Sequence, residues 1–295
     1  MSHSVKEVAL VLGLGAGWGL TQPLGKIATS TGHPAFGLVF WQLVTCILVL
    51  GAITLARGRG TGWTRAHLPF FVVVALLGTV IPNFTFYTSA AQLPSGIMSI
   101  IISTIPLIAF PINLALRMDH FDTKRALGLA LGLTGVLMIA LPQSSLPDRA
   151  MLAFLPIAMI GPLCYALENT YVARYGLGGL DAISAMLGVS LVASVMVGAL
   201  MLATDQAYIP GATWPDAALA ISSALHGLLY ATFVWLAART GAVFASQSSY
   251  VTTVSGVTFA MILLDERPSS WIWAAMVVLL AGMTLVKPRK QTVSA

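Results

Sequence analysis

Long apolar runs separated by short polar stretches extend along almost the whole chain. Within the runs, apolar residues follow one another without alternating with polar ones. This pattern is typical of helices buried in lipid, because only a helix satisfies its own backbone hydrogen bonds there, and one span needs about 20 apolar residues. The pattern predicts ten transmembrane helices, at approximately residues 7–27, 35–56, 67–88, 92–116, 124–141, 150–173, 180–202, 215–237, 241–264 and 270–287.

The positions of the basic residues predict how these helices are oriented. Twelve of the 15 Lys and Arg residues lie at helix ends on one side, and only Lys26, Arg149 and Arg267 lie at ends on the other. Cytoplasmic loops carry an excess of Lys and Arg. We therefore expect both termini in the cytoplasm. The alternation also agrees with ten spans, since removing one helix would disrupt it.

The chain matches itself at a constant shift of 147 residues. Equivalent positions include Trp18 and Tyr165, Gln22 and Asn169, Ser99 and Ser246, Asp119 and Glu266, and Gly135 and Gly282. The shift predicts two units, residues 1–145 and 146–295, each with five helices. Because five is odd, the second unit enters the membrane inverted. Inverted repeats are a transporter architecture with a site near the midplane, although a duplication can also build a static pore or scaffold.

The composition excludes several classes of protein. Charged residues make up 8% of the chain and hydrophobic residues 57%, whereas a soluble domain has about 25% charged residues. This excludes a soluble enzyme, a disordered chain and a secreted disulfide scaffold. Cys46 and Cys164 both lie in apolar runs, which argues against a disulfide framework or a thiolate metal site. We expect no cofactor and no metal. We also expect no nucleic-acid partner, because the basic residues never form one patch.

Polar residues inside the predicted spans are the candidate substrate contacts, since such residues are costly in lipid and are usually functional. Several of them share a helix face at a spacing of three or four residues. The candidates are Trp18, Gln22, Thr79, Asn83, Tyr87, Ser99, Ser103, Tyr165, Glu168, Asn169, His226, Tyr230, Ser246, Gln247 and Tyr250. Glu168 and His226 are also the candidates for coupling to protons.

The role of the ionisable residues has more than one interpretation. A carboxylate at Glu168 among aromatic residues suits a solute with an ammonium group, through charge pairing and cation–π contact. The same carboxylate could instead carry a coupling proton. His226 could line the cavity or join two helices by a hydrogen bond. We expect Lys26 to extend to the outer surface, and Asp119 and Glu266 to organise helix ends.

Short motifs in both halves resemble those of a known family. They are Gly17-Trp18-Gly19, Ala90-Ala91-Gln92-Leu93-Pro94-Ser95-Gly96, Ala237-Ala238-Arg239-Thr240-Gly241 and Asp265-Glu266-Arg267. The chain is similar to the drug/metabolite transporter superfamily, in its EamA-type ten-helix branch. The resemblance implies export or import of small metabolites through a cavity lined by helices 1, 3, 4, 6, 8 and 9, with coupling to protons or exchange. It also implies a multi-pass protein of the bacterial inner membrane.

Together these observations predict a secondary active transporter, an exporter or exchanger of a small organic metabolite such as an amino acid or amine. A broad-specificity drug exporter is an alternative with the same fold. An intramembrane hydrolase using His226 and Ser255 is a second alternative, but no oxyanion hole is evident, and we expect no enzyme. The expected partners are the solute, protons and the lipid bilayer. The oligomeric state is left open, and a monomer is compatible with every feature above.

Overall fold

The computed structural model describes residues 4–58, 60–140, 148–240, 245 and 247–286, and every regular element in them is helical. This confirms the all-α class. The helices are α1 (Val5–Ala28), α2 (Ala35–Ala56), α3 (Arg65–Ala90), α4 (Ser95–Ala115), α5 (Thr123–Ala140), α6 (Arg149–Tyr175), α7 (Ala182–Ala203), α8 (Trp214–Thr240), α9 (Ser248–Leu264) and α10 (Ser270–Leu285).

Six of these helices, α1–α4, α6 and α7, are long and apolar enough to cross a membrane. α9 and α10 are also apolar but shorter, with 17 and 16 residues. The protein therefore has several membrane-spanning helices. The number of ten spans stays a prediction.

The helices of the first and second halves pack against each other in an exchanged pattern. α1 packs against α8 and α9, and α6 packs against α3 and α4. In addition, α2 packs against α7, α4 against α9, and α5 against α10. Helices whose numbers differ by five occupy equivalent positions in the two halves. Exchanging equivalent helices converts the α1–α8 contact into the α6–α3 contact, and α1–α9 into α6–α4, while α2–α7, α4–α9 and α5–α10 are unchanged. The contacts are therefore arranged as an approximate twofold relation between the halves would require.

The crossing of α5 and α10 follows the same relation at the level of single residues. Gly128 lies against Gly282, where a Cβ atom on either glycine would be 2.6 Å from the carbonyl oxygen of the other. Gly135 lies against Ala275, whose carbonyl oxygen would be 3.1 Å from such an atom. These two pairs are equivalent under the shift of 147 residues. Glycine lets the two backbones approach closely.

Two loops dock onto the opposite half. The loop between α7 and α8 covers the beginning of α2, where the Trp41 indole Nε1 donates to the Tyr208 carbonyl oxygen at 2.9 Å. The loop between α2 and α3 covers the beginning of α7, where the Trp63 Nε1 donates to the Ser184 carbonyl oxygen at 3.0 Å. Each half thus supplies a loop that completes the other.

α3 and α4 are not regular α-helices throughout. α3 contains a π turn at Leu76–Val80, and α4 is interrupted after Ile102. Each irregularity comes shortly before a proline, Pro82 in α3 and Pro106 in α4. Proline has no N–H to donate to the carbonyl four residues earlier, which favours such a local change. The π turn brings one residue of α3 into the site described next.

Candidate functional site

Glu168 is the most unusual residue of the membrane-spanning region. It lies in the last third of α6, two turns before the end of the helix, and is only 6% exposed. Within the part of the chain that the structure describes, no hydrogen bond or ion pair reaches its carboxyl group. Burying an ionisable group without a partner is costly, and such groups in membrane segments commonly act on a substrate or ion.

Groups from three helices converge on this carboxyl group. Tyr165 lies one helical turn before Glu168 on α6, and Tyr230 of α8 lies within electrostatic range of the carboxyl group. From α3, Gly78 lies so near that a Cβ atom there would be 2.6 Å from the Glu168 Oε1 atom. Thr79, the next residue, is buried in the same turn. The structure thus places Glu168 against the backbone of α3 at Gly78, next to the predicted residue Thr79 in the chain.

Tyr87 extends this group toward α2. It is buried, and its hydroxyl donates to the Gln42 Oε1 atom at 2.7 Å. Sequence reasoning missed Gln42, although an amide inside the apolar run of α2 was a visible signal. It also missed Gly78, which carries no polar group and so gave no signal of its own. We call Gly78, Tyr87, Tyr165, Glu168 and Tyr230 the Glu168 site.

On α1, two predicted residues have different surroundings. Trp18 is partly buried and packs edge-to-face against Phe233 of α8, with ring centroids 5.4 Å apart. Gln22, one turn later, has a buried Oε1 atom without a hydrogen-bond donor. An unsatisfied buried acceptor leaves room for a donor on a ligand or a water molecule. The Trp18 ring is therefore used in helix packing, whereas the Gln22 side-chain Oε1 atom is available to accept a hydrogen bond.

The remaining predicted residues lie on several helices, and their local surroundings differ. The Ser99 and Ser103 hydroxyls donate to carbonyl groups of their own helix. Gln247 and Tyr250 line a cavity of about 400 Å³ between α1, α9 and α10. Asn83 is buried, His226 is partly buried, Asn169 is exposed, and Ser246 lies outside the described residues.

A second polar arrangement lies at the turn between α3 and α4. The Glu266 carboxylate accepts hydrogen bonds from the backbone N–H groups of Ser95 at 2.6 Å and Gly96 at 2.9 Å. Lys26 Nζ donates to the carbonyl oxygens of Leu93 at 3.0 Å and Ala91 at 3.3 Å. The expected helix-organising role of Glu266 is confirmed. The expectation that Lys26 extends to the outer surface stays a prediction, and its ammonium group binds the turn that follows α3.

Ser255, the nucleophile of the alternative hydrolase, has its hydroxyl bonded to backbone carbonyl groups. The Ser255 hydroxyl donates to the carbonyl oxygens of Val251 at 2.6 Å and Gly15 at 3.2 Å. It is therefore part of the packing of α9 against α1. Across the described ranges, no three His, Cys, Asp or Glu side chains lie close enough together to hold a metal ion.

Comparison with known proteins decides the family. A family model described as the EamA-like transporter family matches residues 5–141 and again residues 152–287. The chain belongs to the EamA-like transporter family. The resemblance found in the sequence motifs is thereby confirmed, and the double match agrees with the internal repeat at a shift of 147 residues.

Individual relatives of this EamA-like chain agree with the assignment. Proteins named "Uncharacterized inner membrane transporter YedA" from Escherichia coli strains K12, O6:H1 and O157:H7 are each 25% identical over 280 residues, which is 91% of this chain and 86% of theirs. A solved structure titled "Crystal structure of protein" covers 96% of both chains with a TM-score of 0.62 and 13% identity. At that identity it supports the fold alone. The protein is thus a transmembrane transporter of the drug/metabolite transporter superfamily.

Proposed function

We propose that this EamA-like protein is a secondary active transporter of a small organic metabolite, such as an amino acid or an amine, and that it works as an exporter or exchanger. The two five-helix repeats, residues 1–145 and 146–295, would move against each other around a central cavity. This proposal includes an inverted second repeat, ten spans, both termini in the cytoplasm and a place in the bacterial inner membrane.

The observation that carries the proposal is the unpaired carboxyl group of Glu168. It is buried at the contact of α6 with α3, where it lies against Gly78, and Tyr165 precedes it by one helical turn. A structural ion pair would fill the same space with a partner, whereas none is present in the described residues. An ammonium group would supply the missing positive charge and contact the aromatic rings.

A proton could occupy the same carboxylate, and this role is compatible with coupling. A carboxyl group that binds either a proton or a cationic solute, but not both, couples the two fluxes in opposite directions. His226, one turn before Tyr230 on α8, is the second candidate for coupling to protons. The exchanged packing of α1 and α6 supports movement of one half against the other around this level.

The test is transport by purified protein in liposomes. A panel of radiolabelled amino acids, primary amines, nucleosides and sugars is first screened by thermal shift, because a ligand that binds the folded state raises its stability. Uptake and counterflow of the stabilising solute are then measured with and without a pH gradient. We expect transport of an amine or amino acid, and we expect Glu168→Gln to abolish it.

Glu7→Gln is the matched control, because it makes the same chemical change at a different place. Glu7 belongs to the capping box at the start of α1. The control should transport like the parent. If no solute moves, or if Glu168→Gln transports as well as the parent, the proposal fails. If Glu168→Gln still binds the solute but no longer responds to a pH gradient, the carboxylate carries the proton and does not contact the solute.

A further inference from the structure

The contact between Gly78 and Glu168 is closer than any other residue at position 78 would allow. A Cβ atom built on Gly78 would lie 2.6 Å from the Glu168 carboxyl carbon, 2.6 Å from Oε1 and 2.8 Å from Oε2. All three atoms belong to the reactive end of the side chain. The carboxyl group therefore lies directly on the backbone of α3, in space that a methyl group would occupy.

We propose that Gly78 is a positioning residue for the Glu168 carboxyl group, and that its missing side chain fixes where this group sits in the transport site. The inference rests on the proposed function of Glu168. A residue without a side chain thus determines where the site holds its carboxyl group.

The local shape of α3 accounts for the close approach. Gly78 is the central residue of the π turn Leu76–Val80, in which the N–H of Ile81 donates to the carbonyl oxygen of Leu76 five residues earlier. Pro82 follows and cannot donate to the Gly78 carbonyl. A π turn inserts one extra residue into a helix and is frequent at functional sites. Here the inserted turn places Gly78 against α6.

The internal repeat provides a comparison within the same chain. Under the shift of 147 residues, Gly78 corresponds to Leu225 of α8 and Glu168 corresponds to Thr21 of α1. The packing of α8 on α1 corresponds to that of α3 on α6. In the α1–α8 contact, the position equivalent to Glu168 has no carboxylate, and the position equivalent to Gly78 has a leucine side chain. α8 has no π turn at that position. The glycine and the π turn accompany the carboxylate.

Gly78→Ala separates positioning from folding. The atoms that would meet the new methyl group form the end of a flexible side chain, so Glu168 can turn aside without displacing a backbone. We therefore expect Gly78→Ala to fold, with an apparent Tm within about 3 °C of the parent, which corresponds to roughly 1 kcal/mol or less for a chain of this size. The position of the carboxyl group should nevertheless change.

The position is measured by the reaction of Glu168 with dicyclohexylcarbodiimide, followed by mass spectrometry of the intact protein, with Glu168→Gln as the unlabelled reference. We expect labelling in Gly78→Ala to fall at least about tenfold, since a displacement of about 1 Å can change a reaction rate about 100-fold. Infrared spectroscopy gives a second readout. The carboxyl C=O band, isolated as parent minus Glu168→Gln, should shift in Gly78→Ala.

Two glycine variants serve as controls. Gly51→Ala adds a methyl group that meets no atom within 4 Å, and Gly25→Ala adds one that meets the Phe86 ring at 2.5 Å. Both should label at the parent rate. Shortening the acid should partly restore labelling in the double variant Gly78→Ala with Glu168→Asp.

Parent-like labelling together with a parent-like infrared band in Gly78→Ala would overturn the inference. If the reagent fails to label the parent, the infrared band decides alone. The proposed function fails separately, when Glu168→Gln leaves transport and ligand binding unchanged.

Discussion

Glu266 and Lys26 show how single residues hold the turn between α3 and α4 from two sides. Glu266 comes from the connection between α9 and α10, and Lys26 comes from α1. The carboxylate binds the N–H groups that begin α4, and the ammonium binds carbonyl groups after α3. Each charge complements the polarity of the helix end it meets. One end of the bundle is thus joined by residues 240 positions apart in the sequence.

Removing the Glu266 carboxylate should lower stability. We expect Glu266→Ala to reduce the free energy of unfolding by about 2 kcal/mol, because hydrogen bonds to a charged group contribute roughly 1.5–3 kcal/mol. Glu266→Gln should fall between this variant and the parent. Thermal unfolding in detergent measures the change. Asp265→Asn is the control, since Asp265 is exposed and, among the described residues, its carboxylate pairs with the exposed Arg267 at 3.5 Å. Equal losses in Glu266→Ala and Asp265→Asn would contradict the prediction.

At the scale of elements, α7 begins at a complete N-cap. The Asp181 carboxylate accepts hydrogen bonds from the backbone of Ile183 and Ser184 and from the Ser184 hydroxyl, and it pairs with Arg57 at 3.2 Å. Partial burial alone would raise the pKa of Asp181, but these hydrogen bonds and the Arg57 charge lower it below its usual range. The cap also joins the start of α7 to the end of α2.

The cap predicts a dependence of stability on pH. Because the pKa of Asp181 is lower in the folded state, its contribution is complete above the unfolded value of about 3.9 and is lost as the pH falls through the folded value. We expect Asp181→Ala to be less stable by about 0.5–2 kcal/mol near neutral pH. Unfolding measured over a pH series should show this difference shrinking below about pH 4. A difference that stays constant to the lowest pH would disagree.

The crossing of α5 and α10 depends on two glycines. A methyl group on Gly282 would lie 2.6 Å from the Gly128 carbonyl oxygen and 2.8 Å from the Gly132 nitrogen. These are backbone atoms, so the helices must separate. We expect Gly282→Ala to lower the unfolding free energy by about 1–3 kcal/mol. Gly51→Ala, in open space, should be neutral or more stable by up to about 1 kcal/mol. Thermal unfolding of both variants measures this difference. Equal stability of Gly282→Ala and Gly51→Ala would contradict the close approach of α5 and α10.

At the scale of the whole molecule, α4 and α9 join the two halves near the turn between α3 and α4, which Glu266 binds. A Cβ atom on Gly96 would lie 3.8 Å from the Cβ atom of Ala260, which is the mean distance in disulfides, about 3.8 Å. We expect the pair Gly96→Cys and Ala260→Cys to form a disulfide on oxidation, seen by intact mass. If the halves separate at this end during transport, the disulfide stops transport and reductant restores it.

Each single cysteine variant is the control for this experiment and should transport in both redox conditions. Full transport by the crosslinked protein would show that this end stays closed throughout the cycle. Failure to form the crosslink would contradict the packing of α4 on α9.

Much of the helical pattern was predictable, because apolar runs and their polar limits are local properties. The prediction of 35–56 coincides with α2, which lies between Pro34 and Arg57. The helix predicted at 92–116 is observed from Ser95, because it follows the non-helical Pro94 and because the carboxylate of Glu266 binds the N–H groups of Ser95 and Gly96. That contact is between residues 171 positions apart, which no local pattern reveals.

The site was predictable only where it carries polar atoms. Glu168 and its tyrosine neighbours were identified from their residue types and spacing. The π turn was not predicted, although Pro82 was visible, because a proline near a helix centre can equally produce a kink. Gly78 escaped prediction because its contribution is the absence of a side chain, and only the packing of α3 on α6 gives that absence a meaning.

The exchanged packing of α1 has a consequence for biosynthesis. Gly15 and Gly19 of α1 fit against Val251 and Ser255 of α9, which the ribosome adds more than 200 residues later. At about 5–20 residues per second, the nascent chain waits on the order of tens of seconds between inserting α1 and inserting its partner. During that interval the glycine face of α1 meets lipid or the insertion machinery. Substitutions on this face should therefore expose the newborn protein to degradation before any defect in the finished transporter can be measured.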